Sequence, residues 1–85
     1  HPRVKPELHL RGERAEAVQA IMGRYLDEAY LAGLSEVRII HGKGTGTLRR
    51  LVQRELEAHP LVVSFRPGGH HEGGTGVTIA RLSEH

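Results

Sequence analysis

The chain has 85 residues, a formal charge of +2, a sequence pI near 9.5, seven histidines and no cysteine. This length makes one small domain without a large enclosed active-site cavity, and the lack of cysteine excludes disulfides, thiolate catalysis and cysteine-based zinc sites. No apolar run approaches the roughly 20 residues of a membrane span, so no membrane partner is expected, and a cytoplasmic origin fits.

The start at His1 rather than Met points to a domain cut from a longer parent chain. Residues 1–6 read as a polar, proline-flanked lead-in, and residues 7–85 as the domain. Glu7-Leu8-His9-Leu10 alternates as a short strand does, and Arg11-Gly12 ends it. From Glu13 the apolar positions Ala17, Val18, Ile21, Met22, Tyr25, Leu26 and Ala29 recur at helical spacing until Gly33, a C-terminal cap. Val37-Arg38-Ile39-Ile40 is β-branched and compact, the mark of a buried strand.

A glycine-punctuated loop, His41-Gly42-Lys43-Gly44-Thr45-Gly46-Thr47, then leads into a second helix carrying Leu48, Leu51, Val52 and Leu56 on one face. Thr45 or Thr47 is the expected N-cap, and Pro60 stops the helix near His59. Leu61 to Phe65 reads as a third strand, Pro67 to Gly74 as a Gly/His-rich loop, and Gly76 to Leu82 as an alternating fourth strand. The order βαβαββ predicts an α/β two-layer sandwich with two helices on a four-stranded mixed sheet. Right-handed crossovers make the first three strands parallel and the last antiparallel to the third.

Ligands of open α/β sheets bind beyond the carboxyl ends of the strands, which would gather Arg11, the His41-to-Thr47 loop and the Arg66-to-Gly74 loop on one rim. The loop suits an anion. Its glycines let backbone N–H groups approach closely, the helix start adds unpaired donors and a positive dipole end, and Lys43 and Arg49 add charge. It matches neither the P-loop nor the dinucleotide fingerprint, so a plain strand-to-helix turn is the competing reading.

His41 reads either as a general acid or base or as a side chain fixing the turn. His9 should project from the face opposite Leu8 and Leu10, where solvent exposure alone explains it. Arg11 is a bidentate phosphate ligand or an ion-pair partner of Glu13 or Glu16. Arg50 and Arg54 form a basic stripe or a solvated face. Adjacent His70-His71-Glu72 in a Gly-rich loop lacks a third rigid ligand, so no metal site is assigned there, and a mobile lid touching nucleic acid is preferred. With Tyr25, Tyr30 and Phe65 as its only aromatics, the chain is poorly equipped for base stacking.

Taken together, Leu8-His9-Leu10-Arg11-Gly12, His41-Gly42-Lys43-Gly44, Thr45-Gly46-Thr47-Leu48-Arg49 and Gly73-Gly74-Thr75-Gly76-Val77-Thr78 resemble the ordered motifs of the Smr (small MutS-related) domain. The Leu-Arg-Gly form of the first motif is most similar to the C-terminal Smr domain of the MutS paralogues that suppress recombination and act on stalled ribosomes. The resemblance implies a fold similar to the C-terminal domain of translation initiation factor 3, and nicking endonuclease activity on DNA or RNA. By motif it implies a site formed by Arg11 and by His41, Gly42, Lys43 and Gly44, with Thr45, Gly46, Thr47 and Arg49 beside it. Relatives usually carry Asp where this chain has His9.

A carboxylate there can activate water or hold a divalent ion, whereas imidazole is a poorer magnesium ligand. Either His9 takes over proton transfer, or the domain cleaves weakly or only binds. The expected catalytic set is therefore His41, Arg11 and His9. Gly42 to Thr47, Arg49 and Arg66 would contact nucleic acid, and the sequence demands no metal or other cofactor. Expected partners are branched DNA or RNA on the ribosome, together with the rest of the parent chain. The rival reading is a non-catalytic module docking its parent on the same targets, and the third a small domain binding free nucleotide or protein.

Overall fold

The computed structural model describes residues 3–84, so His1 and Pro2 of the lead-in, and His85, lie outside the described residues. Its elements are β1 (Glu7–His9), α1 (Ala15–Leu31), β2 (Glu36–Ile40), α2 (Thr47–Ala58), β3 (Val62–Pro67), two single 3-10 turns (His70–Glu72 and Gly74–Gly76) and β4 (Val77–Leu82). The order is the βαβαββ of the sequence reading, and the architecture is two helices on a four-stranded mixed sheet.

The strand order is β1-β2-β4-β3, with β1 parallel to β2 and β4 antiparallel to both β2 and β3. The first three strands thus run in one direction, but β2 and β3 never pair, because the last strand is inserted between them. This central place explains why β4 is buried on both faces instead of alternating. Ala80 and Leu82 join the helix-side core, whereas Val77 and Ile79 lie outside that cluster, on the other face. The glycine-rich segment after β3 folds back over them: Gly68 N–H donates to the Val77 carbonyl at 2.8 Å, and a Cβ on Gly73 would stand 2.4 Å from Val77 Cγ2.

The helix-side core is built from Leu10, Val18, Met22, Leu26, Ala29, Val37, Ile39, Val52, Leu56, Ala80 and Leu82. In α1 the buried positions 18, 22, 26 and 29 form the stripe that the periodicity predicts. The helix ends in a Schellman motif, with Gly33 at φ +82°, its N–H on the Tyr30 carbonyl and the Leu34 N–H on the Ala29 carbonyl, both at 3.0 Å. The α2 helix ends before Pro60, with His59 extended at ψ 123° as a residue before proline must be. Its other end departs from expectation: the N-cap is Gly46 at φ +87°, and neither threonine caps it.

The lead-in is tied to the domain from Val4 onward. Val4 packs against the core, the Lys5 carbonyl accepts the Tyr25 hydroxyl at 2.6 Å, and the Pro6 carbonyl accepts the Arg38 N–H at 2.8 Å. Burial, and secondarily the charge of Glu7, push the Tyr25 phenol up to about 12.

Candidate functional site

The carboxyl ends of β1, β2 and β3 and the start of β4 share one rim of the sheet, and the sequence-predicted segments converge there. Pairing of β1 with β2 continues through Leu10 N–H to the Ile40 carbonyl at 2.8 Å, which brings the Arg11 turn beside the glycine loop. At Gly42, with φ +83°, an added Cβ would lie 3.4 Å from Arg11 Cγ and 3.5 Å from its Nε. A side chain at position 42 would therefore be both strained and in contact with Arg11. Across the loop, Lys43 lies over the Gly74–Gly76 turn, its Nζ 3.9 Å from where a Gly74 Cβ would stand.

Gly46 opens α2, so the first-turn amides of Leu48 and Arg49 lack intrahelical acceptors, and no side chain caps them. The Thr45 hydroxyl approaches the Thr47 hydroxyl at 2.9 Å and the Thr47 N–H at 3.4 Å. The point a Gly46 Cβ would occupy lies 3.3 Å from Arg50 Nη1 and 3.4 Å from Arg49 Nη2. Two guanidinium groups thus converge on the amino end of a helix, where the dipole adds positive potential. Among the described residues no carboxylate pairs with Arg11, Lys43, Arg49 or Arg50, whereas Arg24, Arg38 and Arg66 are taken by Glu28, Glu7 and Glu72. An unneutralised cation cluster around open amides is an arrangement able to attract an anion. A cleft of about 210 Å³ occupies this place, lined by His41, Gly42, Gly44, Thr45, Gly46 and the first turn of α2.

His41 is 4% exposed, and both ring nitrogens are engaged within the chain. Nδ1 is 2.9 Å from the Gly42 carbonyl and Nε2 2.9 Å from the Thr78 hydroxyl. A carbonyl only accepts, so Nδ1 carries the proton, and in the neutral ring Nε2 accepts from Thr78. The His41 and Gly42 amides both donate to the Gly76 carbonyl, at 3.1 and 2.9 Å. His41 therefore clamps the loop to the start of β4. Of the two sequence readings for this residue, the geometry displays the turn-fixing one.

His9 is exposed, and its side chain has no hydrogen-bond partner among the described residues. It stands opposite Ile40, while Leu8 stands opposite Ile39; Ile39 in turn stands opposite Thr78, to which His41 bonds. Cross-strand partners share a face, so His9 and His41 project from opposite faces of the sheet and form no dyad.

A family model described as the Smr domain matches residues 8–83. The chain belongs to the Smr domain family. A protein of Halothermothrix orenii named Endonuclease MutS2 is 56% identical over 80 residues, covering 94% of this chain and 10% of that protein. One of the same name from Geobacillus kaustophilus is 57% identical over 79 residues, covering 93% and 10%. The crystal structure of the Smr domain of Thermus thermophilus MutS2 superposes with a TM-score of 0.86 at 39% identity, covering 89% of this chain and 95% of that one. YdaL, a stand-alone small MutS-related protein from Escherichia coli, gives 0.88 at 27% identity, covering 93% and 65%. This Smr domain spans about a tenth of the length of the curated relatives it matches.

In this Smr domain Arg66 is the predicted contact that the structure engages elsewhere. It grips Glu72 bidentately, Nη1 to Oε1 at 2.6 Å and Nη2 to Oε2 at 2.9 Å, and Glu72 Oε1 also accepts the Gly69 N–H at 2.7 Å. The hydrogen bonds from Arg66 and from Gly69 hold the Glu72 carboxyl down at about 2. This segment is folded into the two 3-10 turns, with the His70 and His71 rings edge to face at 5.0 Å between centroids. Among the described residues no three His, Asp or Glu side chains gather as metal ligands. Arg38 links the same segment to β1, donating to Glu7 at 2.6 Å and to the Glu72 carbonyl at 3.0 Å, while its buried Nε has no partner among the described residues.

Sequence reasoning missed two functional features. Thr78 sits in a quoted motif, but its role as the second anchor of His41 depends on β4 lying next to β2. Arg50 reads from the sequence as part of an outer stripe with Arg54, yet it bends to the Gly46 end of the helix. The signal available for it was the small residue one turn earlier, which leaves room for that approach.

Proposed function

We propose that this Smr domain is the nucleic-acid endonuclease module of a larger MutS2-like protein, nicking the phosphodiester backbone of DNA or RNA at the rim around Gly42 to Gly46. One observation carries this reading: four unpaired cations, Arg11, Lys43, Arg49 and Arg50, surround a glycine loop whose following helix presents open amides. Lys43, Arg49 and the first-turn amides hold the phosphate, and Arg11, set against Gly42, stabilises the negative charge that builds up as phosphorus is attacked. The nucleophile is a neighbouring 2′-hydroxyl in RNA or a water in DNA. Its proton passes to a base, for which the exposed imidazole of His9, two residues before Arg11, is the candidate, and the departing oxygen takes a proton from solvent. His41 and Thr78 keep the loop in shape.

A second reading, a module that binds branched DNA or ribosomal RNA without cutting, is favoured by the saturation of both His41 nitrogens and by the separation of His9 from His41. Incubating the chain with supercoiled plasmid and structured RNA, with and without chelator, separates the two. Nicking by the wild type, lost in His9→Ala and Arg11→Ala while His9→Ala still binds, supports the endonuclease. Binding without cleavage establishes the docking module in its place. Arg49→Ala should weaken binding to all sequences alike and reduce the slope of log K against log salt by about 0.7–0.9. Failure to bind any polynucleotide at low salt refutes both readings.

A further inference from the structure

A second cleft of about 270 Å³ adjoins the phosphate site and is lined by Arg49, Arg50, Gln53, Pro67, Thr75 and Thr78. Arg49 is a wall of both clefts, and the hydrogen-bonded His41–Thr78 pair separates their floors. Its chemistry differs from that of its neighbour. Only the two arginines bring charge. Behind them lie a carboxamide, a free hydroxyl and a proline ring, and neither the Gln53 nor the Thr75 side chain has a hydrogen-bond partner among the described residues. Thr78 adds little, because its hydroxyl already serves His41.

We propose that this cleft receives the base of one unpaired nucleotide adjoining the phosphate held at Gly42 to Gly46. The inference rests on the nucleic-acid reading of that rim and adds the kind of substrate it takes. Three points favour a base over a second phosphate. At about 270 Å³ the cleft has room for a heterocycle. The Gln53 carboxamide offers a donor and an acceptor together, the pattern that matches a base edge and that a phosphate, which only accepts, cannot use. Pro67 and the planar guanidinium groups provide surfaces on which a flat ring packs without an aromatic side chain. The scarcity of aromatics, with none of Tyr25, Tyr30 and Phe65 lining this cleft, therefore does not exclude base contact. A paired base cannot enter without leaving its stack, so the site selects bulges, loops, single strands or junctions over continuous duplex.

The test is fluorescence-anisotropy binding of the chain to three hairpins, made in both DNA and RNA: fully paired, with a one-nucleotide bulge, and with that bulge abasic. The bulged hairpin should bind about tenfold more tightly than the paired one, and removing the bulged base should abolish most of that advantage. Gln53→Ala and Thr75→Val should erase the preference while leaving affinity for the paired hairpin within about twofold; circular dichroism confirms that both variants are folded. Equal binding of all three hairpins, or a uniform loss in both variants, overturns the base pocket while leaving the phosphate site standing. Absence of any binding at low salt removes the nucleic-acid reading and this inference with it.

Discussion

Gly44 and Gly46 lie two residues apart in one loop, yet the structure predicts opposite consequences for replacing them with alanine. Gly46 has φ +87°, a conformation that costs an L-residue roughly 1–2 kcal/mol, whereas Gly44 is outside the left-handed region and a Cβ there would have nothing within 4 Å. At position 46 the new methyl would also stand 3.3 Å from Arg50 Nη1 and 3.4 Å from Arg49 Nη2. Those are the far ends of flexible side chains, so they move aside at little cost to stability. Their departure, however, dissolves the cation pair at the helix start. Gly46→Ala should therefore lose about 1–2 kcal/mol, lowering Tm by roughly 5–15 °C for a domain of this size, and should weaken nucleic-acid binding beyond what unfolding accounts for. Gly44→Ala should stay within about 0.5 kcal/mol of the wild type. Urea and thermal unfolding, with anisotropy binding measured well below both midpoints, provide the comparison. Equal destabilisation by the two substitutions, or a silent Gly46→Ala, would refute the assignment of strain and of the cation pair to Gly46.

Two further substitutions test the contacts that hold the loops at this end of the sheet. Thr78→Val keeps the side-chain shape but leaves the buried Nε2 of His41 without its donor, so it should destabilise the domain by about 1–3 kcal/mol and loosen the loop, weakening phosphate binding; an unchanged unfolding midpoint would show that Thr78 does not hold the ring. Glu72 has its folded-state value depressed to about 2 from an ordinary 4.5, so its contribution to stability is complete above about pH 4.5 and is lost as pH falls through 2. Glu72→Gln should accordingly be less stable than the wild type at pH 6, with the gap closing between pH 4.5 and 2. A gap independent of pH would mean that packing, not the Arg66 clasp, sets the contribution of Glu72.

Much of this molecule was legible in its residues one after another. Helical spacing from Ala17 to Ala29, Gly33 at a helix end, Pro60 after another and the β-branched run Val37 to Ile40 are local signals, because they reflect the preferences of short backbone segments. The ordered motifs from Leu8 to Thr78 sufficed to identify the family for the same reason: they need no knowledge of what touches what. The N-cap shows the limit even locally, since Thr45 and Thr47 satisfy the capping preference while the turn required left-handed Gly46.

What only the tertiary structure decided is everything that depends on pairing across the sheet. Strand periodicity does not state which strand lies beside which, so the insertion of β4 between β2 and β3, and with it the burial of both its faces, came from long-range hydrogen bonds. The same register set His9 and His41 on opposite faces and joined His41 to Thr78. A side chain's chemistry is written in the sequence, but its partner is chosen by the sheet. In this domain that choice leaves Arg11, Lys43, Arg49 and Arg50 without carboxylate partners among the described residues, at the rim where the glycine loop opens.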